Sequence, residues 1–173
     1  KREGTDVTVV ALAGMVRRAL AVADALEEDG VSVEGVDPRT IVPLDKATIL
    51  KSVEMTGRLV VVDPAHKSCS VASEISAMVA QEGFWTLQAP IQRVASLDCH
   101  FPFSPALENL VFPNEEKITE GIIGEEGLFA HDRNARMNHP ISQRVYVNRG
   151  GVLPRRPPDV LARDVAPGKV YSA

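Results

Sequence analysis

A cysteine stands beside a histidine in "LDCHFPFSPALENLVFP", residues 97–113, and this pair, Cys99 and His100, could provide a nucleophile with its base. A base must approach its nucleophile to within about 3 Å, and the side chains of adjacent residues tend to diverge. The segment also lacks a glycine turn that would hold an oxyanion. We therefore interpret it as a packed loop and not as a nucleophile with its base.

The same two residues could instead form half of a metal site. With His66 and Cys69 they offer two imidazoles and two thiols, and both pairs follow predicted strands. Structural zinc sites usually take ligands spaced two to four residues apart within each pair, whereas Cys99 and His100 are adjacent. The sequence therefore predicts no metal site.

The most polar loop of the chain follows its most apolar strand and contains Asp63, His66, Ser68 and Ser70. Ligands of open α/β sheets gather at the carboxyl ends of the strands, where Gly14 also lies after the first strand. The backbone N–H groups that begin a helix near Ser70 could hold a small anion there. In the simpler alternative, which the sequence favours, the serines only cap that helix and the histidine is solvated.

The elements that would position these residues alternate along the chain. β-branched apolar runs predict strands over residues 6–12, 31–38, 58–63 and 90–96. Apolar residues at helical spacing, with Asp45 as a cap and Gly30 and Gly57 as stops, predict helices over residues 15–29, 46–56, 71–82 and 114–123. Strand–helix alternation at these lengths indicates right-handed crossovers and a three-layer α/β sandwich.

The composition narrows the class of protein. The chain has 173 residues, 45% of them hydrophobic, which suits one domain with a sizeable core. Its apolar runs fall well short of the roughly 18 residues that cross a membrane. Two cysteines favour a reducing cytoplasm, and a net charge of −4 argues against a nucleic-acid partner. Glycine-rich nucleotide-binding motifs are absent from the sequence.

The charge changes sign near Gly124. Residues 1–123 hold 11 Lys and Arg against 18 Asp and Glu, whereas residues 124–173 hold 8 against 5. The second part also contains five prolines and seven arginines and has no sustained apolar periodicity. We therefore predict a domain over residues 1–123 and an extended, irregular Pro/Arg-rich arm over residues 124–173.

Four segments in this order resemble the carboxyl-terminal domain of the β subunits of 2-oxo acid dehydrogenase E1 components, and those of acetoin and pyruvate dehydrogenases in particular. They are "VSVEGVDPRTIVPLD" (31–45), "TGRLVVVD" (56–63), "ASEISAMVAQEGFWTLQAPIQRV" (72–94) and "FPFSPALENLVFPNEEKI" (101–118). The resemblance covers roughly residues 4–122. It implies the transketolase C-terminal fold, an α/β/α sandwich on a mostly parallel five-stranded sheet with one antiparallel strand.

The resemblance also implies a parent enzyme that decarboxylates a 2-oxo acid, or cleaves acetoin, on thiamine diphosphate with Mg²⁺ and passes the acyl group to lipoyl-E2. In that family the cofactor lies between two other domains, so we predict no cofactor-binding residue here and an inert isolated domain. The implied partners are a second β subunit, the α subunit and the basic subunit-binding domain of E2. The last of these would match the acidic excess of residues 1–123.

Within this family pattern, the segment after the fourth strand becomes a candidate interface. Its residues are Phe101, Pro102, Phe103, Leu107 and Glu108. We expect the prolines to keep this segment extended and the phenylalanines to pack against the core or a second subunit.

Two alternatives remain at this point. The parent could be a single-chain enzyme of the transketolase or deoxyxylulose-phosphate-synthase type, which shares the fold and the cofactor. Alternatively, the chain could be a freestanding regulatory α/β domain that binds a small anion at Gly14, Asp63, His66, Ser68 and Ser70.

Overall fold

Strands and helices alternate in residues 1–124, the part of the chain that the computed structural model describes. The strands are β1 (Val7–Ala11), β2 (Val33–Val36), β3 (Leu59–His66) and β4 (Gln92–Ser96). The helices are α1 (Met15–Glu28), α2 (Lys46–Thr56), α3 (Val71–Glu82), α4 (Pro105–Val111) and α5 (Glu115–Ile123), with a 3-10 turn at Phe84–Thr86. The predicted arm lies, apart from Gly124, outside the described residues, so its boundary and form stay predictions.

The four strands form one sheet in the order β2-β1-β3-β4, and every neighbouring pair is parallel. This confirms the predicted α/β class with a parallel sheet. A fifth, antiparallel strand is not among the elements of residues 1–124. Antiparallel pairing is limited there to one bridge between Arg2 and Gly35, on the outer edge of β2.

Helices cover both faces of the sheet, and the alternation of side chains along β1 explains why two cores form. Val9 packs with Ile122 in the core beneath α1 and α5. Val10 packs with Ile75 in the core beneath α2 and α3. Each fully buried aliphatic side chain of this size contributes about 1.5–3 kcal/mol. The predicted three-layer arrangement is therefore present in the described residues.

Helix α2 begins and ends at the predicted residues. The Asp45 carboxylate accepts a hydrogen bond from the Thr48 backbone N–H at 3.1 Å. Gly57 ends the helix with a left-handed φ of 69°, and a β-carbon there would lie 2.6 Å from the Gln88 side chain. The left-handed backbone favours glycine at this position, and any larger residue would also displace the Gln88 side chain.

A buried polar cluster joins β1 to α2. The Thr8 hydroxyl lies 2.8 Å from both the Ser52 and the Thr56 hydroxyl oxygens. Thr56 also donates to the Arg58 carbonyl at 3.1 Å, so the cluster extends to the residue that precedes β3. Since every hydroxyl has a partner, burying them costs little.

The prediction of an extended segment after β4 is wrong for residues 105–111, which form α4. Pro105 is the first residue of this helix, where its fixed φ suits the first turn and its missing N–H costs nothing. Leu107, Leu110 and Val111 stand at helical spacing, but the helix has only seven residues, too short a segment for this spacing to reveal it in the sequence. Pro102, by contrast, lies in irregular chain.

Candidate functional site

Asp63 lies in the second half of β3, three residues before the strand ends, and the residue is only 3% exposed. One oxygen accepts from the Ala65 N–H at 2.9 Å, and the other accepts from the Ala72 N–H at 3.0 Å. Ala72 is in the first turn of α3, where N–H groups have no partner within the helix. The Asp63 carboxylate therefore accepts from a backbone N–H at the start of α3, where the sequence analysis had considered an external anion.

The two serines of the predicted anion site also have partners within the protein. The Ser70 hydroxyl caps α3 by accepting from the Ser73 N–H at 3.3 Å. Ser68 contacts Asp98 twice: its N–H donates at 3.0 Å and its hydroxyl at 2.7 Å. The loop after β3 is thereby joined to the loop after β4.

His66 strengthens this junction. Its Nε2 lies 2.8 Å from the backbone carbonyl of Cys99, and its ring stacks on Phe101 with centroids 4.3 Å apart. Phe101 in turn stacks on Phe112 at 4.9 Å. The contact to Cys99 is through its carbonyl and not its thiol, so it forms no nucleophile–base pair.

Gly14, the remaining member of the candidate anion site, precedes α1, which has no side-chain cap. Anion binding by these five residues stays a prediction, and the geometry shows that the donors around Asp63 already bond within the chain. Residues 1–124 contain no group of three or more His, Cys, Asp or Glu arranged to hold a metal ion. Nor does any helix in that range have the length and apolarity to span a membrane.

The candidate interface divides into packed and exposed parts. Phe101 is stacked as described and Pro102 is half-buried, whereas Phe103 is fully exposed and Glu108 is exposed. We define the α4 surface as the exposed apolar side chains of this region, which are Leu97, Phe103, Leu107 and Leu110.

One feature of the described residues was missed from the sequence. A groove of about 980 Å³ lies between α3 and the segment that leads into β4, and two arginines, Arg58 and Arg93, line it. The available signal was a row of small residues on α3, Ser73, Ala77 and Ala80, at helical spacing. Small side chains on an exposed helix face leave room that larger ones would fill.

Asp63→Asn should lower the free energy of unfolding by about 2 kcal/mol, because the amide keeps one acceptor and turns its NH₂ group toward the second backbone N–H. Urea titration of the 173-residue chain measures this change. Glu54→Gln, an exposed carboxylate of α2, is the matched control and should leave the midpoint unchanged. A stable Asp63→Asn variant would contradict the role given to this carboxylate.

The two hydrogen bonds from Ser68, chiefly the backbone one, hold the pKa of Asp98 below its ordinary value of 3.8. Because the folded pKa is depressed, this carboxylate stabilises the fold above its unfolded pKa, and the contribution is lost as pH falls through the folded pKa. At about pH 7 the unchanged chain should therefore unfold at a higher urea concentration than the Asp98→Asn variant. The difference between the two urea midpoints should narrow toward about pH 3. A gap that is constant over this range would exclude the linkage.

The Transketolase, C-terminal domain family model matches residues 1–118. The acetoin:2,6-dichlorophenolindophenol oxidoreductase β subunit of Cupriavidus necator is 49% identical over 117 residues, and that of Bacillus subtilis is 44% identical over 131. The pyruvate dehydrogenase E1 component β subunit of Bacillus subtilis is 45% identical over 120 residues. These alignments cover 68%, 74% and 69% of this chain and 35%, 38% and 37% of the relatives, respectively.

Among solved structures, a split-gene transketolase described as an inactive β4 tetramer matches with a TM-score of 0.60 and 26% identity. The match covers 69% of this chain and 38% of that one. This chain thus spans a little over a third of the length of its curated relatives. The parallel sheet, the helices on both of its faces and the match over residues 1–118 lead to one conclusion: the chain belongs to the transketolase C-terminal domain family.

Proposed function

We propose that this chain is the C-terminal domain of the β subunit of a thiamine-diphosphate-dependent dehydrogenase that acts on pyruvate or acetoin. The supporting observation is the identity of 42–49% to β subunits of these two enzyme classes. Identity to the split-gene transketolase structure is lower, at 26%, which favours a dehydrogenase parent over a transketolase-type one. The acetoin and pyruvate enzyme β subunits of Bacillus subtilis are almost equally similar to this chain, at 44% and 45% identity. The proposal therefore includes both pyruvate and acetoin as substrates of the parent enzyme.

The described residues do not fit the cofactor. A diphosphate with Mg²⁺ needs carboxylate or carbonyl ligands and unpaired backbone donors. Residues 1–124 lack a three-member metal-ligating group, and Asp63 takes the donor at the start of α3. When bound elsewhere in the parent, thiamine diphosphate would supply the carbanion chemistry. We derive no step of that reaction from this chain, whose own contribution is assembly.

The α4 surface supports a role in assembly. Phe103, Leu107 and Leu110 are all more than half exposed, and exposed apolar side chains grouped in one segment are typical of protein contacts. We assign it to a second β subunit, and keep the α subunit and the E2 subunit-binding domain as further partners in the complex. The excess of 18 acidic over 11 basic residues in 1–123 suits the basic E2 domain. We also propose that the protein is located in the cytoplasm.

The parent class is tested by co-expressing the complete β subunit with its α subunit and supplying thiamine diphosphate and Mg²⁺. We expect reduction of 2,6-dichlorophenolindophenol when pyruvate or acetoin is added, with one of the two preferred. A matched reaction without either substrate sets the background. Ketol transfer between sugar phosphates, with no dye reduction, would instead assign the chain to a transketolase-type parent.

Phe103→Asp should shift the 173-residue chain from dimer toward monomer in sedimentation velocity. A buried apolar side chain contributes about 1.5 kcal/mol or more to the stability of the dimer. Its loss therefore raises the dimer dissociation constant at least about tenfold. Met55→Asp, an exposed apolar residue of α2 on a different surface, is the control and should leave the dimer intact. A dimer unaffected by Phe103→Asp would remove the α4 surface from the subunit contact.

A further inference from the structure

The groove beside α3 is lined by an arginine, Arg58, that has one unpartnered donor atom. The backbone of Arg58 is held in place: its carbonyl accepts from the Thr8 N–H at 2.9 Å and from the Thr56 hydroxyl at 3.1 Å. Its side-chain Nε, by contrast, is buried and has no hydrogen-bond partner. A buried donor left unpaired is unfavourable, and most are satisfied in folded proteins. Arg58 also lines the groove, so this side chain borders the space that a ligand would enter.

A second guanidinium lines the same groove. Arg93 donates from Nη1 to the Ser73 hydroxyl at 2.6 Å and to the Lys67 carbonyl at 3.2 Å, which fixes its orientation. Both of these bonds use the Nη1 atom of Arg93. The ion pairs of Lys1, Arg2, Arg39 and Lys46 with carboxylates involve neither arginine of the groove. The groove therefore presents two guanidinium groups on its lining.

The remainder of the lining is apolar and partly aromatic. Trp85 is 93% exposed and stands edge-to-face with Phe84, their ring centroids 5.1 Å apart. Ala77 and Ala80 of α3 line the same groove as the two aromatic residues, and their side chains are short. An exposed indole beside a charged recess is a surface on which a planar ligand can stack.

We propose that this groove binds a small organic anion, with its carboxylate or phosphate on Arg58 and Arg93 and its planar apolar part against Trp85. A volume of about 980 Å³ lies at the upper end of the range for small-molecule sites, which combine apolar walls with a few fixed polar groups. The basic residues 124–173 do not complement the two arginines in charge. The site is separate from Asp63 and from the α4 surface, and it does not rest on the proposed function.

Trp85, the only tryptophan of the chain, provides the readout. Phenylacetate and phenyl phosphate are titrated into the 173-residue chain while the fluorescence of Trp85 and its indole N–H resonance are followed. Both anions should perturb these signals saturably, and the tighter of the two identifies the headgroup. Phenylacetamide, the neutral counterpart of phenylacetate, should bind at least about tenfold more weakly, because a guanidinium prefers an anionic acceptor. Inorganic phosphate, which lacks the planar part, should also bind more weakly.

Arg93→Gln should raise the dissociation constant for the preferred anion at least about tenfold. Arg39→Gln is the matched control, because Arg39 is exposed, lies at 4.0 Å from Asp37 and does not line the groove. The affinity of this variant for the preferred anion should be unchanged. Equal binding of phenylacetate and phenylacetamide by the unchanged chain would overturn the proposal without recourse to any variant. So would the absence of saturable binding by either anion, or a folded Arg93→Gln variant of unchanged affinity.

Discussion

The buried carboxylate of Asp63 is the constraint on which the loops at the carboxyl edge of the sheet depend. It lies within β3, three residues before the strand ends, and its two oxygens accept from the Ala65 and Ala72 N–H groups, so strand, turn and α3 are fixed to one another. Charged acceptors in such positions form hydrogen bonds stronger than neutral ones. The turn it fixes presents His66 and Ser68 to the neighbouring loop. The Asp63 carboxylate and the contacts of His66 and Ser68 together hold the two loops at this edge of the sheet.

Where the sequence carries local signals, it predicts the elements well. Asp45 caps the start of α2 and Gly57 ends the helix, and both act on backbone within a few residues of themselves. The signal for this helix is therefore contained in one short stretch of sequence. α4 shows the opposite case. Pro105 is a good first helical residue, but the helix has only seven residues and buries only Val111. The helix was missed because so short a run of apolar residues does not distinguish a helix from a packed loop.

The candidate site was predicted less well, because its contacts join residues distant in the chain. Ser68 pairs with Asp98 thirty positions away, and a sequence offers no reason to choose this partner over a helix cap. Ser70, whose partner Ser73 is three residues away, caps α3, as the sequence analysis favoured. The arginine-lined groove was missed for the same reason: Arg58 and Arg93 each resemble ordinary residues beside a strand until the fold brings them together.

The groove and the α4 surface share one framework of contacts. Arg93 bonds the Ser73 hydroxyl, and both residues donate to the Lys67 carbonyl, in the turn that follows β3. The next residue, Ser68, is bonded to Asp98 in the loop that leads to α4. An anion that engages Arg93 thus acts on a side chain already bonded to this turn. Because hydrogen bonds connect each step, the geometry of the exposed apolar surface and that of the groove are set by the same few residues.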